Sequence, residues 1–199
     1  MPDHDIVVIG ASAGGVETLT QLVKQLPPDL PATLFVVLHF PSQSTSVLPS
    51  ILNRLASLPA AHPQSGEPIQ PNRIYVAPPN YHLLVQHGQV YLSLGPRENG
   101  HRPAIDPLFR SVAHAYGRRV VGVILSGMLD DGTAGLKVIQ ARGGLTIAQD
   151  PDEALFNSMP RSAIEHCKVD YVLKVADIAA LITQLAAPPA LENKLVSND

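Results

Sequence analysis

This sequence has only one cysteine, no long apolar run and no excess of basic charge. Each of these features excludes a class of protein. The single cysteine, Cys167, rules out an internal disulfide and a thiolate metal cluster. The formal net charge of -3 gives no broad basic field for a nucleic-acid backbone. No run of about 18 apolar residues occurs, and the first residues, MPDHDIVV, lack the features of a signal peptide. We therefore expect a cytoplasmic protein with no membrane insertion and no nucleic-acid partner.

What is present indicates one folded domain. The 199 residues are 45% hydrophobic and 16% charged, which is typical of a soluble globular protein with a large buried sheet. A chain of this length buries roughly 70% of its unfolded surface in a single core. No internal repeat is visible. We expect one domain over residues 1–185 and a flexible tail over residues 186–199, where no hydrophobic period is found.

Short runs rich in valine and isoleucine alternate with segments of helical period, which predicts repeated βαβ units. The predicted fold is therefore α/β, a doubly wound and mostly parallel sheet in a three-layer αβα arrangement. The segments YHLLVQ and QVYLSL flank His87 and Gly88 and predict an antiparallel β-hairpin added to that sheet. The runs that predict parallel strands are IVVIGA, TLFVVLHF, RIYVAPP, VVGVILSG, LTIAQ and YVL.

A serine lies between glycines where the first predicted strand meets its helix. The segment GASAGG, residues 10–15, matches the G-x-S-x-G pattern of a nucleophile elbow in the strand–turn–helix context that the pattern requires. Small neighbours permit a sharp turn that exposes the Ser12 hydroxyl near a helix N-terminus, where backbone N–H groups can stabilise an oxyanion. Taken alone, the segment could also cap a helix or hold a phosphate, as in dinucleotide-binding folds.

His39 is the candidate base. It follows an apolar run, so we expect it at the carboxyl end of the second strand, where a dinucleotide-binding fold would place an acidic residue. Carboxyl ends of parallel strands open on one edge, and adjacent strands lie about 4.8 Å apart. Ser12 and His39 are therefore predicted to lie within hydrogen-bonding distance. Without Ser12, a histidine that only ends a strand would be the simpler reading.

An aspartate pair in LSGMLDDGTAG follows another predicted strand. Asp130 or Asp131 could accept the Nδ1–H of His39, fix its tautomer and stabilise the imidazolium that forms when Ser12 loses its proton. The alternative is structural, because Asp-Gly favours a turn and aspartate favours a helix N-cap.

Several separated segments resemble, in order, the signatures of the CheB methylesterase domain: GASAGG, VLHF, HRPAIDPLF, LSGMLDDGTAG, TIAQD and SMPRSAI. The resemblance covers residues 6–185 and implies a doubly wound α/β fold with a Ser, His, Asp triad. By position, Ser12 matches the nucleophile, His39 the base and Asp131 the orienting carboxylate. This chain order differs from the Ser, Asp, His order of α/β-hydrolases, which disfavours a general lipase.

The resemblance also implies the surroundings of the triad. Met128 matches a loop residue beside the oxyanion site, and its backbone N–H and that of Ala13 are the implied donors. Arg102 and Arg161 are implied to line the substrate face, although solvated surface arginines are an equal alternative. A triad of this kind needs no cofactor. No HExxH pair occurs, and we expect no metal site.

The implied activity is hydrolysis of γ-methyl glutamyl esters on the cytoplasmic helices of methyl-accepting chemoreceptors, with glutamine deamidation at some of the same sites. Full-length chemotaxis members carry an N-terminal receiver domain, and this chain begins just before the predicted sheet. A separate receiver domain or another regulator is therefore an expected partner.

This sequence departs from the family pattern at three positions. Ala13 and Ser126 each replace a common threonine, and Leu129 stands where glycine is frequent. Two alternatives therefore stay open: an esterase of the same mechanism with another substrate, and a non-catalytic module that binds receptors.

Overall fold

The computed structural model describes residues 4–39, 45–86 and 88–188. Within these ranges the strands are β1 (Ile6–Ala11), β2 (Thr33–Leu38), β3 (Ala60–Ala61), β4 (Arg73–Val76), β5 (His82–Gln86), β6 (Gln89–Ser93), β7 (Val120–Ile124), β8 (Leu145–Gln149) and β9 (Tyr171–Leu173). The helices are α1 (Gly15–Lys24), α2 (Leu48–Leu55), α3 (Ile105–Tyr116), α4 (Thr133–Ala141), α5 (Ser158–His166) and α6 (Val175–Ala186).

Seven of the strands form one parallel sheet in the order β3-β4-β2-β1-β7-β8-β9. The chain places β2, β3 and β4 on one side of β1, with β3 outermost, and then returns to add β7, β8 and β9 on the other. The doubly wound, mostly parallel sheet that the sequence predicted is confirmed. The order reverses at β1, so the loops after β1, β2 and β7 meet at the carboxyl edge, where α/β folds place their sites.

Two apolar cores cover the two faces of the sheet, because alternate residues of each strand point to opposite sides. Val7 and Leu34 contact the core beneath α1, α2 and α6, whereas Val8 and Phe35 contact the core beneath α3, α4 and α5. The ring of Phe35 stacks on Tyr75 with centroids 5.3 Å apart. Removing a fully buried ring such as Phe35 costs about 3–5 kcal/mol. The three-layer αβα architecture follows from this two-sided burial.

The predicted hairpin is present but does not extend the parallel sheet. Strands β5 and β6 form a separate two-stranded sheet, and Leu83, Val85 and Val90 join the core beneath α3. The backbone N–H of Val85 also donates to the Ser111 hydroxyl of α3 at 3.1 Å. Gly88 has the positive φ that the hairpin predicted, +76°. Apolar packing on α3 therefore places the hairpin beside the sheet.

Some sequence predictions fall outside the described residues, namely the last residue of the run TLFVVLHF, His87 and most of the tail, residues 189–199. The structure adds the short strand β3 and helix α5, which the strand and helix patterns did not identify. Across the described ranges, no helix combines the length and apolar character that crossing a bilayer would require.

Candidate active site

Ser12 directly follows β1, in a turn that backbone hydrogen bonds fix from both sides. Its N–H donates to the Ser126 carbonyl at 3.0 Å, and its own carbonyl accepts from the Gly15 N–H at 2.8 Å. Gly14 closes the turn with a φ of +71°, a conformation that glycine adopts without strain. A Cβ at Gly14 would also meet Leu155 at 3.1 Å. The turn therefore needs glycine at this position.

The structure brings Ser12, His39 and Asp131 together at the carboxyl edge of the sheet. Ser12 Oγ lies 3.1 Å from His39 Nδ1, and His39 Nε2 lies 2.7 Å from Asp131 Oδ2. The three residues come from the segments after the central strands β1, β2 and β7. The side chains of His39 and Asp131 are only 5% and 2% exposed. The three groups thus form a continuous line along which a proton can move.

The imidazole is turned the opposite way from the sequence expectation. We expected Asp131 to accept from Nδ1–H, and this was wrong, because Nε2 faces Asp131 and Nδ1 faces Ser12. Ring orientation depends on the side chains packed around His39, which strand order does not reveal. With its proton on Nε2, the neutral ring presents the Nδ1 lone pair to the serine hydroxyl.

The Asp131 carboxylate accepts hydrogen bonds from all sides. Oδ2 accepts from His39 and from the Ile105 N–H at 2.7 Å, while Oδ1 accepts from the Asn99 amide at 2.7 Å and the Asp106 N–H at 3.1 Å. Burial raises the pKa of Asp131, but the hydrogen bonds from His39, Ile105 and Asn99 together outweigh it and hold the pKa below its ordinary value. The Asp131 carboxylate is therefore stabilised in its ionised form and accepts hydrogen bonds at both oxygens.

Sequence reasoning missed three residues at this site. The His101 ring stacks on His39, with centroids 3.6 Å apart and planes 7° from parallel. Asn99 bonds both Asp131 and Asp106, and Asp106 is buried beside them. Burial, and then the charge of Asp131, raise the pKa of Asp106. The Asn99–Gly100 dipeptide was the available signal, because Asn-Gly marks a tight turn, but it does not show where the turn lies.

The predicted oxyanion donors, the N–H groups of Ala13 and Met128, stay a prediction. In the part of the chain that the structure describes, neither the Ala13 N–H nor the Met128 N–H donates a hydrogen bond. Gly127 holds the second loop close to the serine, since a Cβ there would lie 2.9 Å from Ser12 Cβ. Leu129 has a φ of +66°, which accounts for the frequent glycine at this position in the resembling family.

Ser126 joins the loops around the site. Its hydroxyl donates to the Ala13 carbonyl at 2.8 Å and accepts from the Phe156 N–H at 3.0 Å. It is fully buried. Serine in place of the common threonine therefore keeps a hydroxyl at this position, and that hydroxyl connects three loops.

Exposed apolar side chains border the triad. Met128 and Leu129 are 53% and 66% exposed, and Leu155 and Phe156 are 72% and 39% exposed. We call these four residues the apolar rim. The loop that carries Met128 and Leu129 is joined to the loop that carries Leu155 and Phe156, because the Phe156 carbonyl accepts a hydrogen bond from the Gly127 N–H at 2.9 Å. Exposed apolar side chains on these two loops are available to contact another molecule.

The two predicted substrate arginines differ in their environments. The Arg102 guanidinium donates to Asn80 Oδ1 at 2.8 Å and to the carbonyls of Leu94 and Gly95 at 2.9 Å. It therefore fastens the segment after β6. Arg161 is exposed on α5. Substrate contact by either arginine stays a prediction. Among the described residues, no cluster of three or more histidine, cysteine or acidic side chains could hold a metal ion.

A family model described as CheB methylesterase matches residues 7–182. The chain belongs to the CheB methylesterase family. A relative from Leptospira interrogans is 39% identical to this CheB-family chain over 184 residues, which cover 92% of the chain and 95% of the relative. The crystal structure of the Thermotoga maritima CheB methylesterase catalytic domain matches with a TM-score of 0.87 and 35% identity, over 92% of this chain and 98% of that one.

Other relatives are longer than this CheB-family chain. The protein-glutamate methylesterase/protein-glutamine glutaminase 2 of Anaeromyxobacter dehalogenans is 40% identical over 181 residues, which cover 91% of this chain and 53% of the relative. The chain thus spans nearly all of the Leptospira relative and about half of this one. Residues 7–182, which the family model matches, contain all three residues of the candidate triad.

Proposed function

We propose that this chain is a serine hydrolase that removes methyl groups from glutamate γ-methyl esters on the cytoplasmic helices of chemoreceptors, acting in the cytoplasm. The observation that carries the proposal is the line from Ser12 through His39 to Asp131, with contacts of 3.1 and 2.7 Å, in a chain of the CheB methylesterase family. A receiver domain or another regulator is part of the proposal as the partner that controls activity.

The residue types define the acylation step. Nδ1 of His39 takes the Ser12 proton as Oγ attacks the ester carbonyl, and the Nε2–H bond to Asp131 stabilises the imidazolium. The N–H groups of Ala13 and Met128 donate to the resulting oxyanion. Collapse of the tetrahedral intermediate breaks the C–O bond, and His39 returns the proton to the leaving methanol. The product is an acyl-enzyme ester on Ser12.

Deacylation uses the same groups in reverse. His39 removes a proton from water, the hydroxide attacks the acyl carbonyl, and Ser12 leaves with the proton returned from His39. A glutamyl carboxylate is released. With a glutamine side chain in place of the ester, the same steps release ammonia, so deamidation needs no further residue.

The apolar rim supports a protein substrate. A methylated glutamate on a receptor helix is presented together with the helix surface around it. Met128, Leu129 and Leu155 are exposed enough to contact such a surface. A small free ester would leave these side chains without a contact, so we propose the receptor helix as substrate.

The decisive experiment measures methanol release from methylated receptor fragments. We expect release by the wild-type protein and none above background by Ser12→Ala. The matched control is Ser57→Ala, an exposed serine between α2 and β3, which should keep wild-type activity. Release by Ser12→Ala at the wild-type rate would reject the assignment.

Labelling with a fluorophosphonate separates the alternatives. Reactive Ser12 without turnover of receptor fragments would favour an esterase with another substrate. Unlabelled Ser12 in a protein that still binds the fragments would favour a non-catalytic binding module. The proposal requires both labelling and turnover.

A further inference from the structure

The segment between the β5–β6 hairpin and α3 contains a tight turn over residues 98–101. The Glu98 N–H donates to the His101 carbonyl at 3.1 Å, and the His101 N–H donates to the Glu98 carbonyl at 2.8 Å. Asn99 and Gly100 have φ angles of +50° and +78°. Two central residues with positive φ, filled by Asn-Gly, define a type I′ turn. Its geometry is therefore fixed by local sequence.

Both ends of the turn are anchored outside the active site. The Glu98 carboxylate accepts hydrogen bonds from the Arg110 guanidinium of α3 at 2.7 and 2.8 Å. After the turn, Arg102 is held by Asn80 and by two backbone carbonyls. Hydrogen bonds therefore hold the turn to α3 on one side and to the segments around the hairpin on the other.

Two side chains of the 98–101 turn contact the triad. Asn99 donates to Asp131 Oδ1 at 2.7 Å and to Asp106 Oδ2 at 2.9 Å, so it bridges the orienting carboxylate to a second, buried carboxyl group. His101 covers one face of the His39 ring at 3.6 Å. One contact limits rotation of the carboxylate and the other limits tilting of the imidazole.

We infer that the 98–101 turn positions the catalytic base, with His101 setting the plane of His39 and Asn99 setting the orientation of Asp131. This inference rests on the proposed hydrolase chemistry of Ser12. Both are positioning residues, since neither touches the serine hydroxyl. With its ring parallel to that of His101, His39 contacts Ser12 through Nδ1 and Asp131 through Nε2.

His101 acts through its shape and not through charge. Burial, followed by the positive charge of the nearby His39, lowers the pKa of His101, and the carboxylate of Asp131 opposes this only in part. A neutral ring packs against His39 in both of its protonation states without charge repulsion. A flat aromatic ring that cannot titrate should therefore replace it.

The test compares His101→Ala, His101→Phe and Asn99→Ala with matched controls. His114→Ala removes an exposed histidine of α3, and Asn72→Ala removes another asparagine of positive φ, at +59°. For each protein we would measure the rate of Ser12 labelling by a fluorophosphonate, kcat and KM for methyl-ester hydrolysis, and thermal unfolding.

We expect His101→Ala to lower the labelling rate and kcat about 10- to 100-fold with KM changed less than about threefold, because a misplacement of about 1 Å costs rates of this order. His101→Phe should return both to within about threefold of wild type. Asn99→Ala should lower the labelling rate and kcat about tenfold. The two controls should keep wild-type rates even where their stability falls.

Two outcomes would overturn the inference: His101→Ala with unchanged labelling and kcat, or His101→Phe as impaired as His101→Ala. If His101→Ala does not fold, His101→Phe and Asn99→Ala decide. Nitrogen-15 NMR of the His39 side chain gives a reading that needs no substrate. The nitrogen-15 shifts of Nδ1 and Nε2 report which nitrogen carries the proton. We expect the proton on Nε2 in wild type and His101→Phe, and a mixture of the two tautomers in His101→Ala. A wild-type protein that labels but does not release methanol would reject the proposed function and leave this test intact.

Discussion

Replacing Asp131 with asparagine tests the triad most sharply, because every group around this carboxylate is a hydrogen-bond donor. Oδ2 faces His39 Nε2 and the Ile105 N–H, and Oδ1 faces the Asn99 amide and the Asp106 N–H. An asparagine has one acceptor oxygen and one NH2 group. In either orientation the NH2 group therefore points at two donors.

The expected cost follows from this mismatch. A buried donor left without an acceptor costs about 1–3 kcal/mol, so two such donors lower the free energy of unfolding by about 2–6 kcal/mol. The loss of catalysis has a separate cause. When the NH2 group faces His39, the ring loses the acceptor that keeps its proton on Nε2, and in the other orientation a neutral amide oxygen replaces the carboxylate. In both cases the Nδ1 lone pair is held less firmly toward Ser12, and the imidazolium loses the stabilising negative charge. In serine proteases the corresponding change lowers turnover about 10⁴-fold.

Asp130→Asn is the matched control. Asp130 is the exposed neighbour of Asp131 in the same loop, and the sequence alone could not choose between the two. We expect Asp131→Asn to slow fluorophosphonate labelling of Ser12 by about 10³- to 10⁴-fold, and Asp130→Asn to leave it unchanged. Urea unfolding measures the stability loss. Labelling of Asp131→Asn within tenfold of wild type would refute the reasoning, and so would an equal loss in Asp130→Asn.

The parts of the site that sequence could predict are those fixed by strand ends. Ser12 and His39 follow apolar runs, and parallel strands place their carboxyl ends on one edge, so their proximity followed from topology alone. Asp131 needed the family resemblance to separate it from Asp130. The αβα fold was predictable for a similar reason, since continuous apolar runs and helical periods determine which faces are buried.

The parts that sequence could not predict depend on contacts between distant segments. The Asn99–Gly100 dipeptide predicts a type I′ turn, but only tertiary packing brings that turn to His39 and Asp131. The nitrogen that faces Ser12 was predicted wrongly, because it depends on how the His39 ring is seated between Ser12 and Asp131. Helix α5 was given no bounds from the sequence, and it has Pro160 in its first turn, where proline is tolerated.

Two further predictions test the site independently. Gly127→Ala adds a methyl group that meets Ser12 Cβ at 2.9 Å and the Met159 sulfur; we expect a stability loss of about 1–3 kcal/mol and slower Ser12 labelling, whereas Gly66→Ala, with no atom within 4 Å of its new Cβ, should label normally. The second concerns Asp106, whose pKa is raised by burial and by the charge of Asp131. The folded protein therefore binds this proton at a higher pH than the unfolded chain, so the stability contributed by this group rises as the pH falls through the folded-state pKa. Asp106→Asn removes the proton uptake. We therefore expect the unfolding free energy of the wild type minus that of the variant to increase as the pH falls from about 7.5 toward about 5. This range lies above the pH at which an unfolded aspartate titrates. Urea unfolding at a series of pH values measures this difference. A difference that stays constant or shrinks would mean that Asp106 is already ionised across this range and that Asn99 bridges two charged carboxylates.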